Sequence, residues 1–218
     1  MKKKVVLAFS GGLDTSFCVP YLINEKGLEV HTVMVNTGGF SPEEEKAIEN
    51  RALSLGAATH TTVNAVDEYY NKGIKYLIFG NILKNATYPL SVSSERIFQA
   101  LAVLDEVKKI NASYVAHGST GAGNDQVRFD LVFEVLAPGV EIIAPIRELS
   151  LSRASEIEYL AKHGCNLSWD KAKYSINQGL WGTSIGGVET LKSDGFFFFF
   201  AYPSQLIKNE LVMINISF

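Results

Sequence analysis

Phe9-Ser10-Gly11-Gly12-Leu13-Asp14-Thr15-Ser16 closes an apolar run, Val5-Val6-Leu7-Ala8-Phe9, and opens a helical pattern. The run shows no polar alternation, the mark of a strand buried on both faces. A strand, two glycines, hydroxyls and a helix start together make an anion cradle. Glycines let backbone N–H groups converge, and the helix N-terminus adds positive dipole. The lysine of a G-x-x-x-x-G-K-[ST] loop is missing throughout the chain. Asp14 stands inside the loop instead, which suits magnesium attached to a polyphosphate better than a bare phosphate monoester. On residue types alone, the competing reading is a tight turn with a Ser/Asp helix cap.

Outward from this loop, short apolar runs alternate with helical periodicity. A helix is predicted over Asp14–Lys26, with Gly27 just past its end and Pro20 as a source of a kink or a late start. Glu29–Val35 reads as a strand. Ser41-Pro42-Glu43-Glu44 is a helix start with cap, N1 proline and capping-box glutamate, and that helix runs to about Leu55. Ala57–Val63 reads as a third strand, followed by a helical stretch to Phe79. Ser94–Lys109 is a long amphipathic helix with Ile97, Leu101, Leu104 and Val107 on one stripe. Ser113–His117 is a strand that ends in a second Gly-rich turn, residues 118–124. Asp125–Leu136 reads as helix, Glu141–Ala144 as strand, and Ser152–His163 as a capped helix.

This alternation predicts an α/β fold, a parallel twisted sheet with helices on both faces. Ligands of such sheets sit beyond the carboxyl ends of the strands, so the two Gly-rich turns should face one crevice. From Asn166 the texture changes: Gly, Ser, Asn and Trp become frequent and periodicity is lost to Gly195. Leu211–Phe218 reads as one terminal strand. The expected division is a nucleotide-binding domain over 1–165 and a partial α+β substrate domain over 166–218.

Composition narrows the function classes. The chain has 218 residues, 47% hydrophobic, with a net charge of −3, so it buries a core and has no basic field for a nucleic-acid backbone. Cys18 and Cys165 make neither a disulfide framework nor, with His31, His60 and His163, a zinc spacing. Met1-Lys2-Lys3-Lys4 imitates a signal-peptide start, but the apolar run after it is too short for an h-region. Phe196–Phe200, five of the 13 phenylalanines, falls far below the ~20 apolar residues of a membrane span. A soluble, cytoplasmic protein with no membrane or nucleic-acid partner is expected. His117 is read as a strand-end histidine satisfied by hydrogen bonds.

The Ser-Gly-Gly-Leu-Asp-Thr-Ser stretch resembles the pyrophosphate loop of the N-type ATP pyrophosphatases. Ala116-His117-Gly118-Ser119-Thr120-Gly121-Ala122-Gly123-Asn124-Asp125-Gln126-Val127-Arg128-Phe129 narrows the choice. It resembles the corresponding segment of the argininosuccinate synthase family, with Asn-Asp-Gln-x-Arg intact. That family adenylates the ureido oxygen of citrulline with ATP, through a citrullyl-AMP intermediate, and lets the amine of aspartate displace AMP. The resemblance implies ATP, with magnesium carried on it, at Ala8, Phe9, Ser10, Gly11, Gly12, Leu13, Asp14, Thr15 and Ser16, with Val35 near adenine and Gly118 at the nucleotide. It implies aspartate at Thr120, Asn124 and Asp125, and citrulline at Tyr88, Ser93, Asn124, Arg128, Ser175 and Ser184. Asp14, Asp125 and Arg128 are the residues expected to carry the chemistry, which rests on positioning and charge rather than on a protein nucleophile.

The resemblance is good over residues 4–195 and patchy beyond. An acidic, polar loop is usual in the family where Phe196–Phe200 stands here. The family's longer chains have a second half that adds citrulline contacts and the swapped C-terminal helix of a homotetramer. Two other readings stand beside ligase chemistry: a nucleotide-binding remnant that does not complete the reaction, and another N-type ATP pyrophosphatase acting on a different group. The second loop and the lack of a thiolation cysteine pair speak against the last.

Overall fold

A computed structural model describes residues 2–165, 175–187, 189, 195–197 and 201–202. Five strands, β1 (Lys4–Ala8), β2 (Glu29–Asn36), β3 (Thr59–Asn64), β4 (Tyr114–His117) and β5 (Glu141–Ile143), form one all-parallel sheet in the order β3-β2-β1-β4-β5. β1 is central: Val5 registers with Val30 on one side and with Tyr114 on the other. Its alternating side chains build two cores. Val5 and Leu7 pack with Phe17, Val19 and Leu22 of α1 (Leu13–Asn24), with Ile48 and Ala52 of α2 (Pro42–Ser54), and with Leu160. Val6 faces the opposite layer, where Val103, Leu104 and Val107 meet Phe129 and Phe133. Both faces of the sheet are covered, as the uninterrupted apolar run of β1 requires.

The remaining helices follow the predicted order with local changes. α1 starts at Leu13 and continues through the buried Pro20, so the proline does not delay the start. Gly27 has φ of +67°, and the Leu28 amide donates back to the Leu22 carbonyl, the left-handed closure that glycine permits. Ser41 and Glu44 form the reciprocal capping box of α2. The helical stretch toward Phe79 is broken into α3 (Val66–Tyr69), a π-helical Tyr70–Ile74 and α4 (Lys75–Phe79).

α5 (Ser91–Ile110) begins three residues earlier than its periodicity indicates, and its deepest residues are Ala100, Val103, Leu104 and Val107; Ile97 and Leu101 are only partly buried. α6 (Asp125–Leu136) matches its expected bounds. A short α7 (Pro145–Leu149) and then α8 (Arg153–Lys162), capped by Ser152, complete the domain.

The textural change after Asn166 does not mean loss of regular structure. β6 (Ser175–Gly179) and β7 (Gly182–Gly186) form an antiparallel hairpin turning at Leu180-Trp181. It is polar and Gly-rich, so it has no apolar alternation to read. The predicted strand Leu211–Phe218 and the end of the phenylalanine run lie outside the described residues. Phe196 itself is exposed.

Candidate active site at the switch point of the sheet

The chain runs from β1 to β2 and β3 on one side, then returns to β4 on the other flank of β1. The loops after β1 and β4 therefore leave neighbouring strand ends in opposite directions and open a crevice between them. The first loop is held tightly. Phe9 donates its amide to Val33 and buries its ring in the core. Gly11 sits at φ of +74°, and a Cβ there would come 2.9 Å from Ile48 Cγ1. The Gly11 carbonyl accepts from the Arg51 guanidinium of α2. Gly12 is the N-cap of α1, and no side chain caps the helix, so its first amides remain directed at the crevice. Thr15 Oγ1 lies 3.3 Å from both Ser10 Oγ and the Gly12 carbonyl. Ser16 is fully buried, and its Oγ has no hydrogen-bond partner among the described residues. An uncapped helix start, convergent hydroxyls and an orphaned buried oxygen fit a polyphosphate.

Asp14 has a carboxylate neighbour that the sequence does not reveal. Its side chain meets Glu156 of α8, with Arg153 nearby. Burial, and then the Asp14 charge, push Glu156 up to about 8, while Arg153 partly opposes them. Burial likewise raises Asp14. A half-buried and a fully buried carboxyl side by side favour keeping one proton between them. Cys18, fully buried below this pair, is pushed well above the usual thiol range by burial and by the same carboxylates.

The second loop closes down on the first. A Cβ on Gly118 would stand 3.0 Å from Thr15 Cγ2 and 3.1 Å from the Thr15 amide nitrogen. Beyond it, Thr120 and Asn124 are exposed at the crevice rim, and Asp125 begins α6. Two guanidiniums grip Asp125: Arg96 Nε at 3.1 Å from Oδ2 and Arg128 Nη1 at 2.5 Å from Oδ1. The Arg128 charge also reaches Tyr88. Burial alone would raise that phenol, but the Ser93 hydrogen bonds and Arg128 bring it below its usual value. The Ser93 amide donates to Tyr88 Oη at 3.2 Å. Tyr88, Ser93, Asp125 and Arg128 thus share one electrostatic neighbourhood.

The hairpin covers this neighbourhood. The Leu180 amide donates to the Thr37 carbonyl at 2.8 Å, and Trp181 Nε1 to the Pro89 carbonyl at 2.7 Å. Arg96 Nη2 donates to Asn177 Oδ1 of β6, which registers with Ser184 of β7. The turn lies directly on Gly39, where a Cβ would overlap the Gln178 carbonyl oxygen. Buried Glu95 accepts from Thr37 Oγ1 at 2.7 Å and stands against Gly179.

A sequence model described as the arginosuccinate synthase N-terminal HUP domain matches residues 4–166. The chain belongs to the argininosuccinate synthase family. It is 43% identical over 198 residues to the argininosuccinate synthase of Methanocaldococcus jannaschii, a match covering 89% of this chain and 49% of the relative. The Saccharolobus solfataricus argininosuccinate synthase is 44% identical over 184 residues, 84% of this chain and 46% of the relative. The chain therefore spans about half the length of the curated relatives it matches.

Most positions that the family resemblance singles out converge in space. Residues 8–16 and Gly118 line the meeting of the two loops, and Tyr88, Ser93, Asp125 and Arg128 gather beside them. Ser184 is half-buried on the docked hairpin; Ser175 pairs through its backbone with Gly186. Val35 differs: its side chain is buried in the core behind β2, leaving only its backbone to meet a ligand. Arg96, Glu95 and Glu156 escaped sequence reasoning. Each sits in an ordinary helical pattern, and each acquires its partner from an element distant in sequence.

Proposed function

We propose that this chain carries argininosuccinate synthase chemistry: ATP-dependent joining of citrulline to aspartate, with release of AMP and pyrophosphate. The observation that carries this reading is the contact of Gly118 with Thr15. It sets the uncapped N-terminus of α1 against the loop bearing Thr120, Asn124 and Asp125. The pyrophosphate end of ATP would lie over residues 10–16, where backbone amides and hydroxyls supply positive potential without a lysine. Magnesium would arrive on the nucleotide, with Asp14 as the carboxylate that the loop supplies. Asp125 would take the ammonium of aspartate, with Thr120 and Asn124 hydrogen-bonding its other end. Arg128, Tyr88, Ser93 and the hairpin serines would hold citrulline, with Arg128 passing from Asp125 to the substrate carboxylate. Bringing the two substrates onto one carbon accounts for catalysis without a protein nucleophile. The division at residue 165 belongs to the same reading, and the family match over residues 4–166 supports it.

The test is pyrophosphate release by the purified 218-residue chain given ATP, magnesium, citrulline and aspartate. Release that requires both amino acids supports the proposal. ATP binding with no release under any substrate combination assigns this chain a nucleotide-binding role alone.

A further inference from the structure

A closed ring of hydrogen bonds runs behind the second loop, built from residues that none of the binding assignments use. His117, at the end of β4, is 1% exposed. Its Nδ1 lies 3.2 Å from the Ser119 amide and its Nε2 lies 2.9 Å from Asp130 Oδ1. A backbone amide can only donate, so Nδ1 is the acceptor and the proton sits on Nε2, directed at Asp130. Asp130 Oδ2 takes Arg147 Nη1 at 2.5 Å. The same Arg147 nitrogen donates to Gln126 Oε1 at 3.0 Å. Gln126 Nε2 then returns to the loop, donating to the Gly121 carbonyl at 2.7 Å and the Gly123 carbonyl at 3.3 Å. The path thus leaves the loop at Ser119 and re-enters it at Gly121 and Gly123. It crosses β4, α6 and α7 on the way.

We propose that His117 is a positioning residue that fixes loop 118–124 directly at Ser119 through Nδ1, while Asp130, Arg147 and Gln126 tie the same loop at Gly121 and Gly123. Three glycines in that loop, Gly118, Gly121 and Gly123, leave it without intrinsic stiffness. Thr120 and Asn124 are exposed, so their own packing does not fix them. The rigidity that a substrate-positioning loop needs therefore comes from the buried side. The His117 ring is itself locked, stacked on Phe129 at 5.6 Å between centroids. Burial would raise Asp130, but hydrogen bonds from His117 and Arg147 outweigh it and hold the carboxyl below its usual value. It remains ionised as the hub of the ring. That the loop receives aspartate rests on the proposed function; that the ring holds the loop does not.

Two histidine variants separate the ring's arms, because an Asn side-chain amide stands near the place of Nδ1 and a Gln amide near that of Nε2. The readout is amide hydrogen exchange of loop 118–124 in the full chain, with and without ATP. His117→Asn keeps an acceptor for Ser119, and loop exchange should stay within about threefold of the parent. His117→Gln keeps the Asp130 contact but removes the acceptor, and exchange at Ser119 should rise about tenfold or more. Arg147→Met, made at a partly exposed position, should speed exchange around 121–123 while leaving β4 protected. Equal effects of Asn and Gln, or unchanged loop exchange in all three variants, overturn the proposal. If the parent releases pyrophosphate, His117→Gln should raise the KM for aspartate about tenfold, Asn should restore it, and the KM for ATP should change less than twofold. If the parent releases none, the functional reading fails while the exchange pattern still decides the role of His117.

Discussion

Gly118 stands against Thr15 with no room for a side chain: a Cβ would lie 3.0 Å from Thr15 Cγ2 and 3.3 Å from the Asp14 carbonyl carbon. The Asp14 carbonyl carbon, and the Thr15 nitrogen at 3.1 Å, are backbone atoms at a helix start, which cannot turn aside as a flexible side chain would. Gly118→Ala should push the second loop away from α1 and widen the crevice. The expected result is about tenfold weaker ATP binding by calorimetry, with a stability loss of about 1–3 kcal/mol, the range of overpacking substitutions. Unchanged nucleotide affinity would separate the two loops functionally.

The Asp14–Glu156 pair sets a pH dependence of stability. Glu156 titrates at about 8 in the folded chain against an ordinary 4.5. Above 4.5 the unfolded chain gives up this proton while the folded chain retains it, so stability falls as pH rises toward 8. The slope from one such proton is at most about 1.4 kcal/mol per pH unit. Asp14, also raised, acts in the same direction. Glu156→Gln keeps the shape and removes the charge. The variant should melt higher than the parent at pH 8, by about 2–6 °C, and equally near pH 4, below the unfolded carboxyl's ordinary value. Parallel melting curves across that range would dismiss the pair as a source of pH sensitivity.

The parts of this architecture that were legible in the sequence are those set by local patterning. The strand-loop-helix at residues 5–16 announces itself because a doubly buried strand has no polar alternation and its exit needs glycine. The capping box at Ser41 and the closure at Gly27 are likewise local. The β6–β7 hairpin was not legible. Its stability comes from Thr37, Pro89, Arg96 and the bare surface of Gly39 rather than from its own residues. The same holds in the site. Asp125 and Arg128 sit one helical turn apart and were found as a motif, whereas Arg96 reaches Asn177 across 81 positions. Glu156 meets Asp14 only because α8 packs on α1.

Arg128 and Arg96 hold the same carboxylate but differ in what else they touch. Arg96 is tied to Gln99 and Asn177, while Arg128 faces the Tyr88 phenol. Arg128 is therefore the guanidinium that can transfer to a substrate carboxylate. Lysine keeps its charge but not its planar fork. Arg128→Lys should raise the KM for citrulline about tenfold or more, as loss of a charged hydrogen bond does, with less than a twofold change for ATP. Equal losses for both substrates in steady-state kinetics would remove Arg128 from the citrulline site.

The hairpin's seat gives the last prediction. Gly39 lies under the turn so closely that a Cβ would fall 1.9 Å from the Gln178 carbonyl oxygen, and a Cβ on Gly38, at φ of +100°, would come 3.1 Å from Leu180 Cβ. Gly39→Ala therefore cannot be absorbed by a side-chain rotation, because the obstructing atom is backbone. The turn must lift, breaking the Leu180–Thr37 bond and drawing Trp181 off the Pro89 carbonyl. With Trp169 replaced by Phe, the emission of Trp181 should shift to the red in Gly39→Ala, and the KM for citrulline should rise more than that for ATP. A lifted hairpin strips Asn177 from Arg96 and moves Ser184, yet leaves the contact of Gly118 with Thr15 in place. An unshifted spectrum would mean that the loop after β2 yields instead, and the loss should then move to the nucleotide side of the crevice.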